Sequence, residues 1–144
     1  MGISSAQVDE LIKRVELFHG LTPDEVSTIF SKGMTMRVGK GETVFYKGTV
    51  GSQMYIVLGG LLGVFDGDMK IAELQTGDMF GEMALVTHEK RSATVTAIEG
   101  SHLFVLSEMT FQKLLTKRVA VQLLLNIVRT MSHRLKQTNA RVTD

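Results

Sequence analysis

Apolar residues recur every three or four positions near both ends of the chain and alternate over short runs in the middle. Val8, Leu11, Ile12, Val15 and Phe18 fall on one face of an amphipathic helix over 7–18. Thr22-Pro23-Asp24-Glu25 then predicts a helix start, with Thr22 as cap, proline in the first turn and two acids complementing the helix dipole. That helix should run to about Ser31 and stop at Gly33. Runs at 34–38, 43–46, 54–58, 61–65, 70–74, 93–98 and 102–106 predict short strands, separated by turn residues such as Gly59-Gly60, Thr76-Gly77-Asp78 and Glu99-Gly100. Asp66-Gly67 between two such runs is hairpin chemistry. Strands at this spacing imply a sandwich, roll or barrel.

After the strands, Ser107 is placed to cap a short helix over 108–116. A last helix from about Val119 carries Leu124, Val128, Met131, Leu135, Thr138 and Val142 at spacings alternating between four and three. Such a seam serves either pairing with a second copy or packing on the chain's own β region.

Composition narrows the picture. At 44% hydrophobic residues, 144 residues can bury a sizeable core. Twelve of the 14 glycines lie between Gly33 and Gly100, so the turns are concentrated in the middle. The absence of cysteine excludes disulfides, zinc thiolates, iron–sulfur clusters and thiol catalysis. With 16 Lys and Arg against 15 Asp and Glu, bulk charge does not mark a nucleic-acid binder. No apolar run is long enough for a membrane helix, and Asp9 and Glu10 argue against a secretory signal. Met1-Gly2 opens like a myristoylation site, but Ala6 stands where a hydroxyl residue is expected. A cytoplasmic chain in a reducing compartment is the expectation.

The segment Gly77-Asp-Met-Phe-Gly-Glu-Met-Ala-Leu-Val-Thr-His-Glu-Lys-Arg-Ser-Ala-Thr-Val95 breaks the strand pattern. A single helical turn over 81–86 presents backbone N–H groups, which suits an anion. Arg91 can fork onto two phosphate oxygens, and the Ser92 hydroxyl is a further donor. Glu82 either complements the dipole of the turn or accepts from a donor such as a sugar hydroxyl, because a carboxylate cannot itself bind phosphate. Phosphate plus ribose hydroxyl means a nucleotide. An internal Glu82–Arg91 ion pair is the plain alternative.

Phe80-Gly-Glu-Met-Ala-Leu85, five residues, then Arg91-Ser-Ala-Thr94 resembles the phosphate-binding cassette of cyclic nucleotide-binding domains. The resemblance extends to Leu17-Phe-His-Gly-Leu-Thr22, to Gly39-Lys-Gly-Glu-Thr-Val-Phe45 and to Gly51-Ser-Gln-Met-Tyr-Ile-Val57 followed by Gly60, nearly the whole chain. It implies a mainly β fold with flanking helices, a jelly-roll-like double-stranded β-roll with N-terminal helices and a long C-terminal helix. One domain over 1–144 is expected: a helical segment at 1–33, the roll at 34–107 with its cassette at 80–94, and helices at 108–144.

The resemblance also implies roles. Glu82 accepts from the ribose 2′-hydroxyl, and Arg91 neutralises the cyclic phosphate. Ser92 and backbone N–H groups from Gly81 and the Ala84-Leu85 turn, with Met83 between them, complete the cradle. Ile71 and Leu74 form an apolar wall near the base. Thr87-His-Glu-Lys90 departs from the family by its charge. Met131-Ser-His-Arg-Leu-Lys-Gln-Thr-Asn139 is similar to the end of the dimerisation helix in bacterial catabolite activators, which makes Thr138 and Asn139 base contacts from one subunit or the other.

The function implied is non-catalytic sensing of cAMP ahead of cGMP, without cofactor or metal, with a homodimer and a downstream effector domain or protein as partners. A cupin-like metalloenzyme is the rival, but His19, His88, His102 and His133 lack ligand spacing. The sensory half of a DNA-binding regulator is another, although no helix-turn-helix follows the long helix. The basic residues of the C-terminal region, among them Arg118 and Arg134, read as a solvated helix face.

Overall fold

The structure is a computed structural model. It describes residues 5–114 and 117–143, and side chains at 5, 7, 8, 11, 12, 114, 117, 120 and 138–143 lie outside the description. Helix α1 (Ser5–Arg14) stops short of the expected Phe18, because Val15 turns extended and a 3-10 turn follows at Glu16–Phe18. The side chains of Val8, Leu11 and Ile12 lie outside the described residues, whereas Val15, Leu17 and Phe18 are buried. Helix α2 (Pro23–Lys32) begins as its sequence dictates: the Thr22 hydroxyl accepts from the Glu25 N–H and the Glu25 carboxylate accepts from the Thr22 N–H. Gly33 ends it.

Eight strands follow: β1 (Met34–Val38), β2 (Thr43–Phe45), β3 (Gln53–Gly59), β4 (Leu61–Asp66), β5 (Met69–Gln75), β6 (Met79–Phe80), β7 (Thr94–Ala97) and β8 (Ser101–Ser107). They form two antiparallel sheets, ordered β1-β8-β3-β6 and β2-β7-β4-β5. Asp66 and Met69 face each other across the expected hairpin, with Gly67 at φ 60°. The two residues of β6 are too few to leave a periodic trace in the sequence, yet they pair with Tyr55 and Ile56.

Strand β3 is buried on both faces, and alternation sorts its side chains. Tyr55 and Val57 join Leu62, Leu74, Phe80, Val95 and Leu103 between the sheets. Met54 and Ile56 join Phe18, Ile29, Phe104 and Phe111 under the helices. After α3 (Glu108–Leu114), whose first turn is capped by the Ser107 hydroxyl accepting from the Thr110 N–H, comes α4 (Lys117–Thr143).

Helix α4 carries two apolar faces rather than one seam. Val119, Leu123 and Ile127 are buried in the helix-side core, and Met131 packs against it. Val121, Leu124, Leu125, Val128 and Leu135 remain exposed. Thus Met131 leaves the heptad series predicted for it and turns toward the roll. Two polar anchors tie α4 to the N-terminal segment. Asn126, buried, donates through Nδ2 to the carbonyls of Leu17 (2.7 Å) and His19 (2.8 Å), and its Oδ1 accepts from Gln122. Arg118 donates through Nη1 to both oxygens of Glu25 and through Nη2 to the Gly20 carbonyl. The Glu25 carboxyl is held below its ordinary range, chiefly by the Thr22 N–H and further by Arg118. Arg118 is therefore no member of a purely solvated face.

Candidate functional site

The chain leaves β6 through Gly81, which adopts φ 73° and swings into a 3-10 turn at Glu82–Leu85. A side chain at this left-handed position would be strained, and its Cβ would lie 2.7 Å from Arg91 Nη1. This is the helical turn the sequence implied. Ala84 and Leu85 are buried and anchor it, Met83 is half-buried, and the Glu82 carboxylate is driven inward at 4% exposure. Of the turn's backbone donors, the Ala84 N–H is already engaged by the Gly81 carbonyl at 3.2 Å.

Arg91 stands three residues before β7. Its backbone is clamped to the loop after β2: the Arg91 N–H donates to the Thr49 carbonyl (2.7 Å) and the Gly48 N–H to the Arg91 carbonyl (2.8 Å). The guanidinium points inward, and Arg91 as a whole is 8% exposed. Nη1 donates to the Gly81 carbonyl (3.1 Å) and Nη2 to the Gln53 carbonyl (2.7 Å). Gly51 leaves room for it, since a Cβ there would sit 2.3 Å from Nη2. Burial pushes the guanidinium pKa down, opposed by Tyr55 and Glu82. The Nε atom is buried without a hydrogen-bond partner. A buried cation with an orphaned N–H is a site prepared for an anion.

The Glu82–Arg91 ion pair weighed from the sequence does not form; Arg134 of α4 bridges to Glu82 instead. Its Nη1 donates to Glu82 Oε1 and its Nη2 to the Met79 carbonyl (2.9 Å). Glu82 is almost fully enclosed in this pair while Arg134 is about half-exposed, with side-chain exposures of 5% and 46%. Arg134 is therefore not one of the purely solvated bases expected on this helix; it lies within the 131–139 run and one helical turn before Thr138. That position was the available signal.

The other expected residues scatter. Ser92 is exposed beside Arg91. Leu74 is buried between the sheets, whereas Ile71 on the same strand is 51% exposed. Thr138 and Asn139 lie on α4, but their side chains are outside the described residues. In the charged linker, His88 Nε2 sits 2.7 and 2.9 Å from the two carboxylate oxygens of Glu108 at the start of α3. Among the described residues no group of three His, Asp or Glu could hold a metal ion. Nor is any described helix long and apolar enough to cross a membrane.

Comparison with known proteins agrees with this geometry. Residues 35–118 match the family model described as the cyclic nucleotide-binding domain. A cAMP-dependent protein kinase regulatory subunit from Blastocladiella emersonii is 34% identical over 115 residues, covering 76% of this chain and 28% of that protein. A cyclic AMP receptor protein from Thermus thermophilus is 34% identical over 100 residues, covering 66% and 46%. The chain thus spans between about a quarter and a half of these relatives' length. The crystal structure of Thermus thermophilus catabolite activator protein superposes with a TM-score of 0.79 at 28% identity, over 89% of this chain and 62% of that one. With its two-sheet roll, its Phe80–Leu85 turn and its inward arginine, the chain belongs to the cyclic nucleotide-binding domain family.

Proposed function

We propose that this chain is a single sensory domain, working in the cytoplasm without catalysis, that binds a 3′,5′-cyclic purine nucleotide, cAMP ahead of cGMP. It reports occupancy through α4 to an effector domain or protein. The observation that carries this reading is the pairing of unlike charges around one glycine. Arg91 is bonded to the Gly81 carbonyl with its Nε–H unpartnered, and the next residue, Glu82, turns a buried carboxylate inward. A cyclic phosphate takes the guanidinium, with the Ser92 hydroxyl as a further donor. A ribose 2′-hydroxyl donates to Glu82. Met83, Ala84 and Leu85 shape the turn under the phosphate, and Ile71 and Leu74 serve the base side. Thr138 and Asn139 reach the base from α4. The choice of cAMP is supported by what the two named relatives bind and, in a small way, by Ser92, since cGMP-selective members often carry Thr there.

The Arg134–Glu82 bridge supplies the reporting step. The nucleotide hydroxyl and the helix arginine address the same carboxylate, so filling the pocket alters what holds α4 to the cassette. Calorimetry with cAMP, cGMP and cyclic dinucleotides tests the ligand. Glu82→Gln is expected to weaken cAMP more than 2′-deoxy-cAMP, which has no hydroxyl to lose; equal losses would remove Glu82 from the ribose.

The exposed face of α4 is the proposed homodimer contact. Val121, Leu124, Leu125, Val128 and Leu135 line it, and pairing two such faces covers apolar area that one copy leaves in water. If the base is held by Thr138 or Asn139 of either copy, cAMP tightens the dimer by the factor with which dimerisation tightens cAMP. Leu135→Lys is expected to weaken both together. Sedimentation equilibrium with and without cAMP reads the effect, and a monomer in both conditions at high concentration would reduce the face to a solvated one.

A further inference from the structure

Arg91 is a buried cation with no carboxylate within ion-pair distance among the described residues. Two backbone carbonyls satisfy two of its nitrogens, yet dipoles alone are weak compensation for removing a full charge from water. One face of the guanidinium is covered by an aromatic ring: Cζ of Arg91 lies 4.2 Å from the ring centroid of Phe45. This is the range in which the negative face of the ring attracts a cation.

The ring is itself held. Phe45 packs against Tyr55 and Phe80, each with centroids 5.9 Å away, and those two stack on each other at 5.0 Å. Register places it there, because Phe45 of β2 pairs with Val95 of β7, four residues beyond Arg91. Burial in the same cluster raises the pKa of the Tyr55 phenol, so this wall stays neutral beneath the cation. The three rings come from β2, β3 and β6, in both sheets, and of them Phe45 is the one set against the guanidinium.

We propose that Phe45 is a positioning residue for nucleotide binding: its π face holds the charge of Arg91 inside the roll before any phosphate arrives. This rests on the reading of Arg91 as the phosphate ligand. Without the ring, the guanidinium gains by swinging out to water in the empty protein, and the ligand must then drive it back in. With the ring, the head group waits with its bonds to Gly81 and Gln53 made and its Nε–H open. The contribution is preorganisation, since the ring touches the arginine and acts on the phosphate only through it.

The test substitutes Phe45 by 4-fluoro-, 3,5-difluoro- and 3,4,5-trifluorophenylalanine, which keep the ring's shape while draining its negative face stepwise, and by leucine, which removes the face. Each full-length variant is checked for folding by circular dichroism and heat unfolding, and its cAMP affinity is measured by calorimetry. Affinity is expected to fall in order of fluorination, reaching roughly 2- to 30-fold for Phe45→Leu. Packing alone would leave the fluorinated series level or raise it, because fluorine adds apolar surface. A level or rising series in a protein that binds cAMP would overturn the role of Phe45 and leave the reading of Arg91 intact. Wild-type protein that binds none of the cyclic nucleotides would overturn both.

Discussion

Replacing Arg91 with alanine is expected to weaken cAMP binding by about 30-fold to several thousand-fold, the equivalent of roughly 2–5 kcal/mol for removing one partner of a desolvated charge pair. The fold should survive. The substitution frees the carbonyls of Gly81 and Gln53, which costs about 1–3 kcal/mol for each that stays dry. It also abolishes a buried charge with no carboxylate in ion-pair distance among the described residues, which offsets much of that cost. Arg91→Lys should recover only part of the affinity, since an ammonium cannot hold both carbonyls and still present a fork. Calorimetry and heat unfolding on the same samples separate binding from stability. Affinity within threefold of wild type in Arg91→Ala would remove this residue from the site.

Asn126→Leu is expected to destabilise the protein by about 2–4 kcal/mol without touching the cassette. Leucine matches the size of asparagine but leaves the carbonyls of Leu17 and His19 without their donor, the first of them in a buried setting. It also takes away the acceptor of Gln122. Urea unfolding should show the loss as a lower midpoint with an unchanged slope. An unchanged midpoint would mean that water reaches the 3-10 turn once the amide is gone. Because α4 is anchored to the N-terminal segment here and to the cassette at Glu82, the same variant is expected to loosen the helix proposed to report occupancy.

What the sequence made legible was chiefly local chemistry. Thr22 to Glu25 is a capping box whose two hydrogen bonds span three residues, and Asp66-Gly67 closes a hairpin between adjacent strands. The turn at Gly81 was readable because its break from alternation is local too. Arg134 was not, since its partner lies 52 residues earlier and a lone base on a basic helix resembles any solvated one. Helix α4 was only half legible, for another reason. Its stretch Val119-Ala-Val-Gln-Leu-Leu-Leu-Asn-Ile-Val128 is apolar almost all round, so a seam through Leu124 and Val128 fits as well as one through Leu123 and Ile127. Only the packed core decides that the second pair faces inward. Phe45 read as one more strand residue, because nothing in a strand pattern reveals which cation a ring will cover.

The space left by Gly51 has a consequence for how such a sequence can drift. Of the atoms a methyl group at 51 would strike, the nearest belong to the movable tip of Arg91, the closest at 2.3 Å. A descendant carrying alanine at that position would shift its guanidinium and keep its sheets. Every residue from Gly77 to Val95 could stay as it is, and on the proposed reading the lineage would still bind phosphate less well. A chain of this kind, whole in motif, would carry its mark at position 51, outside the motif.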